Sequence, residues 1–282
     1  MRCLVACLVV TIIPAVASAR PARPRGDDRF KPPAAKLMRT SSARAGTPVR
    51  VFLNRDGGTL AGGPDDPAAD RSWIAASGPG GQAQVPAYRG SDRAWRSVVA
   101  CVRTHFAPFA VDVVDARPAA GDYSMIMVGG QPDVVGMGRG VSGVAPADGV
   151  ALRRAVGYAF SASLDEDPAA TCGTVAHEIG HTLGLDHAMA CDDLMSYDAC
   201  GQKTFVDRAA ACGEFEARGC DSGEDTQNSY RRLAALVGLR GGADDAVAPA
   251  CGRPRPSPRP AGSARSTSRA PARPRSTRSS PT

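Results

Sequence analysis

Apolar side chains along the middle of this chain recur first at strand and then at helix intervals. Val49-Arg50-Val51-Phe52-Leu53 has the alternation of a strand. Residues 56–90 are dense in Gly, Pro, Asp and Ala and read as a long surface excursion. Ser91 is an N-cap for a helix in which Trp95, Val98, Val99, Val102 and Phe106 share one face. Strands are expected at 110–115 and 123–129, at Val141 to Ala145 as a short edge, and at Val156 to Phe160. Asp167 and Pro168 then supply an N-cap and a first helical residue for a helix reaching about Leu183. Tyr230, Leu233, Leu236 and Val237 predict a last helix over 228–239. This order of strand, helix, strands and helices is that of an α+β domain.

The flanks lack such patterning. Residues 20–48 are rich in Pro, Arg, Ala and Ser and read as a basic flexible linker or short pro-segment. Residues 241–282 have the composition of a disordered Arg/Pro/Ser-rich tail. At the start, Arg2, the apolar run Leu4 to Ile13, Pro14 and Ala17-Ser18-Ala19 form a signal-peptide pattern over 1–19, with cleavage near Ala19. That run is too short to span a bilayer, and no other segment is apolar enough to cross one. The expected location is therefore secreted or periplasmic, and the expected state a monomer.

Composition changes this picture in two places. The net charge of +6 is segregated: residues 251–282 carry eight Arg and no acid, while 51–250 carry 16 basic against 26 acidic groups. The excess therefore describes the tails, which offers contact with an anionic surface but does not make the body a nucleic-acid binder. Cys101, Cys172, Cys191, Cys200, Cys212, Cys220 and Cys251 remain after signal removal, enough for three disulfides and one left over in an oxidising compartment.

The chemistry is concentrated in one stretch. Three of the chain's four histidines fall in His177-Glu178-Ile179-Gly180-His181-Thr182-Leu183-Gly184-Leu185-Asp186-His187, the pattern H-E-x-x-H-x-x-G-x-x-H. On a helix, His177 and His181 lie on one face, with Cys172, Val175, Ala176, Ile179 and Leu183 on the other. Gly184, free of a Cβ, can turn left-handed, end the helix and bring His187 to the same metal ion. Three imidazoles leave the fourth position of a Zn²⁺ ion for water, whose pKa falls to about 7. Glu178, beside the first ligand, is placed to act as general base on that water. His105 has no partner at ligand spacing and reads as structural.

Eight residues after His187 comes Met195, within Asp193-Leu194-Met195-Ser196-Tyr197. The long histidine motif followed by this methionine resembles the metzincin clan of zinc endopeptidases. The His187-to-Met195 interval is similar to matrixins, and Met195-Ser196-Tyr197 to serralysins and astacins. The resemblance covers roughly 49–240, the expected metallopeptidase domain, although only about twenty residues of it are motif-grade. It implies a twisted mixed sheet of about five strands, two helices packed on it, and a smaller irregular C-terminal subdomain ending in a helix. It assigns His177, His181 and His187 to zinc, Glu178 to water activation, Met195 to a hydrophobic base beneath the histidines, and Tyr197 to the developing oxyanion. It implies hydrolysis of a protein or peptide substrate lying along an edge strand such as Val141 to Ala145.

Cysteine pairing stays open in the sequence. If both helices pack on one sheet face, as in metzincins, Cys101–Cys172 is feasible; Cys191 and Cys200 bracket the methionine turn, and Cys212 and Cys220 close a short loop. No cysteine lies in 20–48 to serve a cysteine switch, and glycine-rich calcium repeats are absent. The acidic loops at 56–70 and 221–225 leave structural Ca²⁺ as an unsupported option. The rival function class is a non-catalytic, zinc-stabilised extracellular binding or adhesion protein, against which the intact ligand set and Glu178 count.

Overall fold

Val49, Val51 and Leu53 face one core cluster while Phe52 faces a second, so a single strand serves two buried layers. The same division runs across the sheet, with Ile126 and Val128 on one face and Met125 and Met127 on the other. Strands covered on both sides read as continuous apolar runs, as 124–128 does. The computed structural model describes residues 29–30, 48–198 and 200–241. The readings of 1–19 as a signal peptide and of the basic tail, with Cys251, lie outside these.

The elements in chain order are β1 (Arg29–Phe30), β2 (Val49–Asn54), β3 (Gly58–Gly62), β4 (Arg71–Ser72), β5 (Gln82–Val85), α1 (Asp92–Phe106), β6 (Val111–Val114), β7 (Ser124–Val128), β8 (Gly143–Pro146), β9 (Val156–Ala159), α2 (Pro168–Thr182), β10 (Ala210–Ala211), β11 (Thr226–Gln227) and α3 (Ser229–Val237). This is an α+β fold built on a five-stranded mixed sheet. Strands β6, β2, β7 and β9 run parallel, and β8 pairs antiparallel with β9. The two-residue β1 adds in parallel beside β8. Helices α1 and α2 cover one face. Their junction is stapled by Cys101–Cys172, a cross-link that contributes about 2–4 kcal/mol.

The stretch 56–90 differs from its reading as a surface excursion. It folds into a small sheet, β4-β3-β5, whose Leu60, Ala83 and Val85, with Ile74 and Ala75, are buried against the second sheet face. Its apolar residues are spaced too widely to show a period, and its strand pairs are non-local, so neither propensity nor alternation announces them. The region beyond α2 is irregular, as expected. It is held by Cys191–Cys200 and Cys212–Cys220 and by ring contacts joining Phe106, Phe109, Phe205 and Tyr230. The final helix is Ser229–Val237, capped by Asn228.

Asp65 ties the small sheet to the large one. Its carboxylate accepts from the amides of Trp73 (2.8 Å) and Val156 (3.0 Å). Burial nevertheless dominates and pushes the carboxyl up to about 6. The folded state therefore holds this proton more tightly than the unfolded chain does. The resulting stability is complete below the ordinary value of 3.8 and is lost as pH rises through about 6. Acidifying from about pH 7 to 5 should raise Asp65's share of stability by about 1 kcal/mol. Urea midpoints at both pH values, for wild type and Asp65→Asn, check this: the gain on acidification should be smaller in the variant.

Candidate metal centre and cleft

Helix α2 starts where expected: Asp167 accepts from the Ala170 amide at 2.7 Å, and Pro168 follows it. Cys172, Val175, Ala176 and Ile179 pack into the core beneath the sheet, which turns His177 and His181 to the other side of the helix, where both stay buried. The helix closes with two bonds, Gly184 N–H to the His181 carbonyl and Leu185 N–H to the Gly180 carbonyl, both 3.0 Å. This is the Schellman closure, which needs a left-handed residue, and Gly184 has φ +92°. A Cβ there would also lie 2.8 Å from the Val150 backbone. Arg232 pins the turn by donating to the carbonyls of Gly184 (3.0 Å) and Gly149 (2.6 Å). His187 follows three residues later.

The three histidines meet. The Nε2 atom of His181 lies 3.0 Å from that of His177 and 3.0 Å from that of His187, and the last two are 3.2 Å apart. Each Nδ1 faces an acceptor: the Leu194 carbonyl for His177 (2.9 Å), the Leu185 carbonyl for His181 (3.0 Å) and the Glu214 carboxylate for His187 (2.8 Å). Carbonyl and carboxylate oxygens only accept, so the Nδ1 atoms carry protons, and each ring in its neutral form turns an Nε2 lone pair to the common point. Three lone pairs aimed at one point repel one another unless a cation sits between them. Metal–nitrogen bonds of about 2.0–2.1 Å give tetrahedral edges of roughly 3.3 Å, close to this spacing. His177, His181 and His187 thus form a buried group that could hold a metal ion.

The other site residues gather around this group. Glu178 is buried and lines the same cleft as His177 and Tyr197. Strand β8 passes directly over it: a Cβ on Gly143 would come within 2.4 Å of Glu178 Oε1. Met195 is fully buried, with Sδ 2.5 Å from where a Cβ on Gly180 would stand. Its turn is shaped by Asp193, whose side chain accepts from the Met195 amide at 2.9 Å. The Tyr197 ring lies 4.5 Å from that of His187 and 5.6 Å from that of Phe215. His105 stands on the cleft wall, 3.9 Å from Cys101, with burial holding its imidazole below the usual range.

The cleft encloses about 1150 Å³. Ala169, Ala170, Gly173 and Thr174 of α2 form a small-residue wall; residues 140–143, Leu194, Ser196, Tyr197, residues 201–204, and Thr104 and His105 of α1 line other parts. The edge strand runs over 143–146 rather than from Val141, and its outer side at Ala145 and Pro146 pairs with Arg29 and Phe30 of this same chain. A peptide lying along this edge would therefore meet the N-terminal segment there.

Sequence reasoning missed Glu214, Arg218, Gly143 and Gly180. Glu214 follows His187 by 27 residues, and the only trace of its loop in the sequence was the Cys212/Cys220 pair. Gly143 and Gly180 matter through close approach to Glu178 and Met195, which no local pattern encodes. The acidic stretch at 221–225 contributes no metal cluster among the described residues, and neither does 56–70.

Gly180→Ala would drive a methyl into Met195 Sδ inside a filled core. The expected cost is about 1–3 kcal/mol, read as a lower urea midpoint; an unchanged midpoint would show that the methionine moves freely.

No family model matches the chain, and no curated protein matches it. Among solved structures, the crystal structure of metalloproteinase-II from Bacteroides fragilis is similar to it at 13% identity and a TM-score of 0.34, over 70% of this chain and 55% of that one. The chain thus spans about half the length of that structure.

Proposed function

We propose that this chain is a secreted zinc-dependent endopeptidase of metzincin type. The observation that carries the reading is the convergence of three Nε2 atoms beside the buried Glu178, at a cleft of about 1150 Å³. His177, His181 and His187 would hold the ion; three neutral nitrogens with a carboxylate close by suit zinc better than calcium or magnesium, which prefer oxygen. When bound, zinc supplies Lewis acidity that polarises a carbonyl and lowers the pKa of a coordinated water to about 7.

Glu178 takes a proton from the attacking water and returns it to the leaving amine. Its burial beneath β8 keeps the carboxylate in one place and limits competing solvent. Tyr197, on the cleft wall beside His187, donates a hydrogen bond from its phenol O–H to the oxyanion that develops. The segment at 140–143 offers backbone groups to an extended substrate, and the small residues of α2 leave room for its side chains. Pairing of Arg29 and Phe30 with the outer side of β8 favours reading 20–48 as a pro-segment rather than a plain linker. Three disulfides accord with an extracellular setting.

The test is cleavage of a denatured protein or peptide library by the secreted chain. Chelator should abolish cleavage and zinc restore it. Glu178→Ala should lower kcat by about 10²–10⁴-fold while bound zinc stays at the wild-type level. Equal turnover by the variant sinks the mechanism, and a wild type that holds zinc but cuts nothing favours the binding-protein alternative.

A further inference from the structure

His177 and His181 are held by a helix, whereas His187 stands on a turn beyond it. A ligand on a turn needs another source of orientation, and the loop between Cys212 and Cys220 supplies one. Glu214 on that loop accepts from His187 Nδ1 at 2.8 Å. It is the one carboxylate among the three Nδ1 acceptors; the others are main-chain carbonyls.

The carboxylate is itself held. Arg218 donates through Nη2 to Glu214 Oε1 (2.8 Å) and through Nε to Oε2 (3.3 Å). The same guanidinium makes two bonds of 2.6 Å to the buried Asp186, whose Oδ1 accepts from the His187 amide at 2.7 Å. These bonds hold the Arg218 proton more tightly than usual, so it stays a cation at any working pH. Two carboxylate side chains thus share one guanidinium behind the His187 ring. Main-chain bonds fix the loop to the turn: Gly213 N–H to the His187 carbonyl at 3.2 Å and Met189 N–H to the Ala211 carbonyl at 2.9 Å. Asp186, His187 and Glu214 also meet as a possible metal-holding group. The Arg218 guanidinium already bonds both carboxylates, which speaks against a second ion there.

We propose that Glu214 is the positioning residue for the third metal ligand: clamped by Arg218 on the disulfide-closed loop, it fixes the tautomer and ring orientation of His187 and raises its basicity toward the ion. This rests on the metal-site part of the functional reading and is independent of peptidase activity.

The experiment uses the full secreted chain, with zinc affinity measured by chelator competition and site geometry by the visible absorption of the cobalt-substituted protein. Glu214→Ala should weaken zinc by about 10–100-fold and alter the cobalt bands. Glu214→Gln, which keeps the shape but not the charge, should fall between it and wild type. Glu216→Ala, an exposed change in the same loop, should leave both readouts unchanged. Far-UV circular dichroism and free-thiol titration establish that each variant is folded and fully bridged; if Glu214→Ala is not, Glu214→Gln decides. Zinc affinity within about threefold of wild type for the Glu214 variants, or an equal loss in Glu216→Ala, overturns the assignment. A wild type that binds zinc but cleaves nothing sinks the peptidase reading, while the order of affinities still decides the role of Glu214.

Discussion

Three imidazole nitrogens with their lone pairs facing inward, within 3.2 Å of one another, are not a stable arrangement without a cation between them. The folded chain has to impose it, and much of the surrounding structure is arranged to do so. Two rings are carried by α2, whose opposite face is buried against the sheet. The third is brought in by the left-handed turn at Gly184. Each ring is then kept from rotating by an acceptor at Nδ1: the methionine turn supplies one through Leu194, the helix closure another through Leu185, and the loop at Glu214 the third. Without these bonds the rings could relieve the repulsion by turning away.

Those acceptors come from segments with little regular structure, which explains where the covalent cross-links lie. Between α2 and α3 only two two-residue strands occur among the described residues. Such a stretch cannot hold a carbonyl or a carboxylate to a fraction of an ångström through secondary structure alone. Cys191–Cys200 closes the methionine turn and Cys212–Cys220 closes the Glu214 loop. The third bridge ties α2 to α1. With few aromatic residues available for a large core, cross-links reduce the freedom of the unfolded chain and narrow the positions open to the loops.

The cleft has the opposite character. Its wall on α2 is made of Ala169, Ala170, Gly173 and Thr174, small enough to leave a groove beside the histidines. Gly143 lets β8 come down onto Glu178, so the edge that could hold an extended chain lies next to the group that could move a proton. Arg29 and Phe30 pair in parallel with Ala145 and Pro146 on the outer side of that edge.

Periodicity and punctuation carry local information, and the elements that depend on it were legible in the sequence. Helix α2 shows its cap, its amphipathic face and its glycine stop within twenty residues; α1, α3 and the five main strands likewise follow from local spacing. His177, Glu178, His181 and His187 were legible because a helix turn and one glycine link them. Residues 56–90 carry no such local signal, because Leu60, Ile74 and Val85 become a buried layer only when separated strands pair. Glu214 and Arg218 reach His187 across the chain, so no spacing rule marks them. Amino-acid order by itself determined the histidine triad that could hold a metal ion and the helices and strands around it, since those depend on neighbours in sequence. Which groups orient the rings, how close β8 comes to Glu178 and what lies along its outer edge were decided by the tertiary structure, because contacts between distant segments leave no period to read.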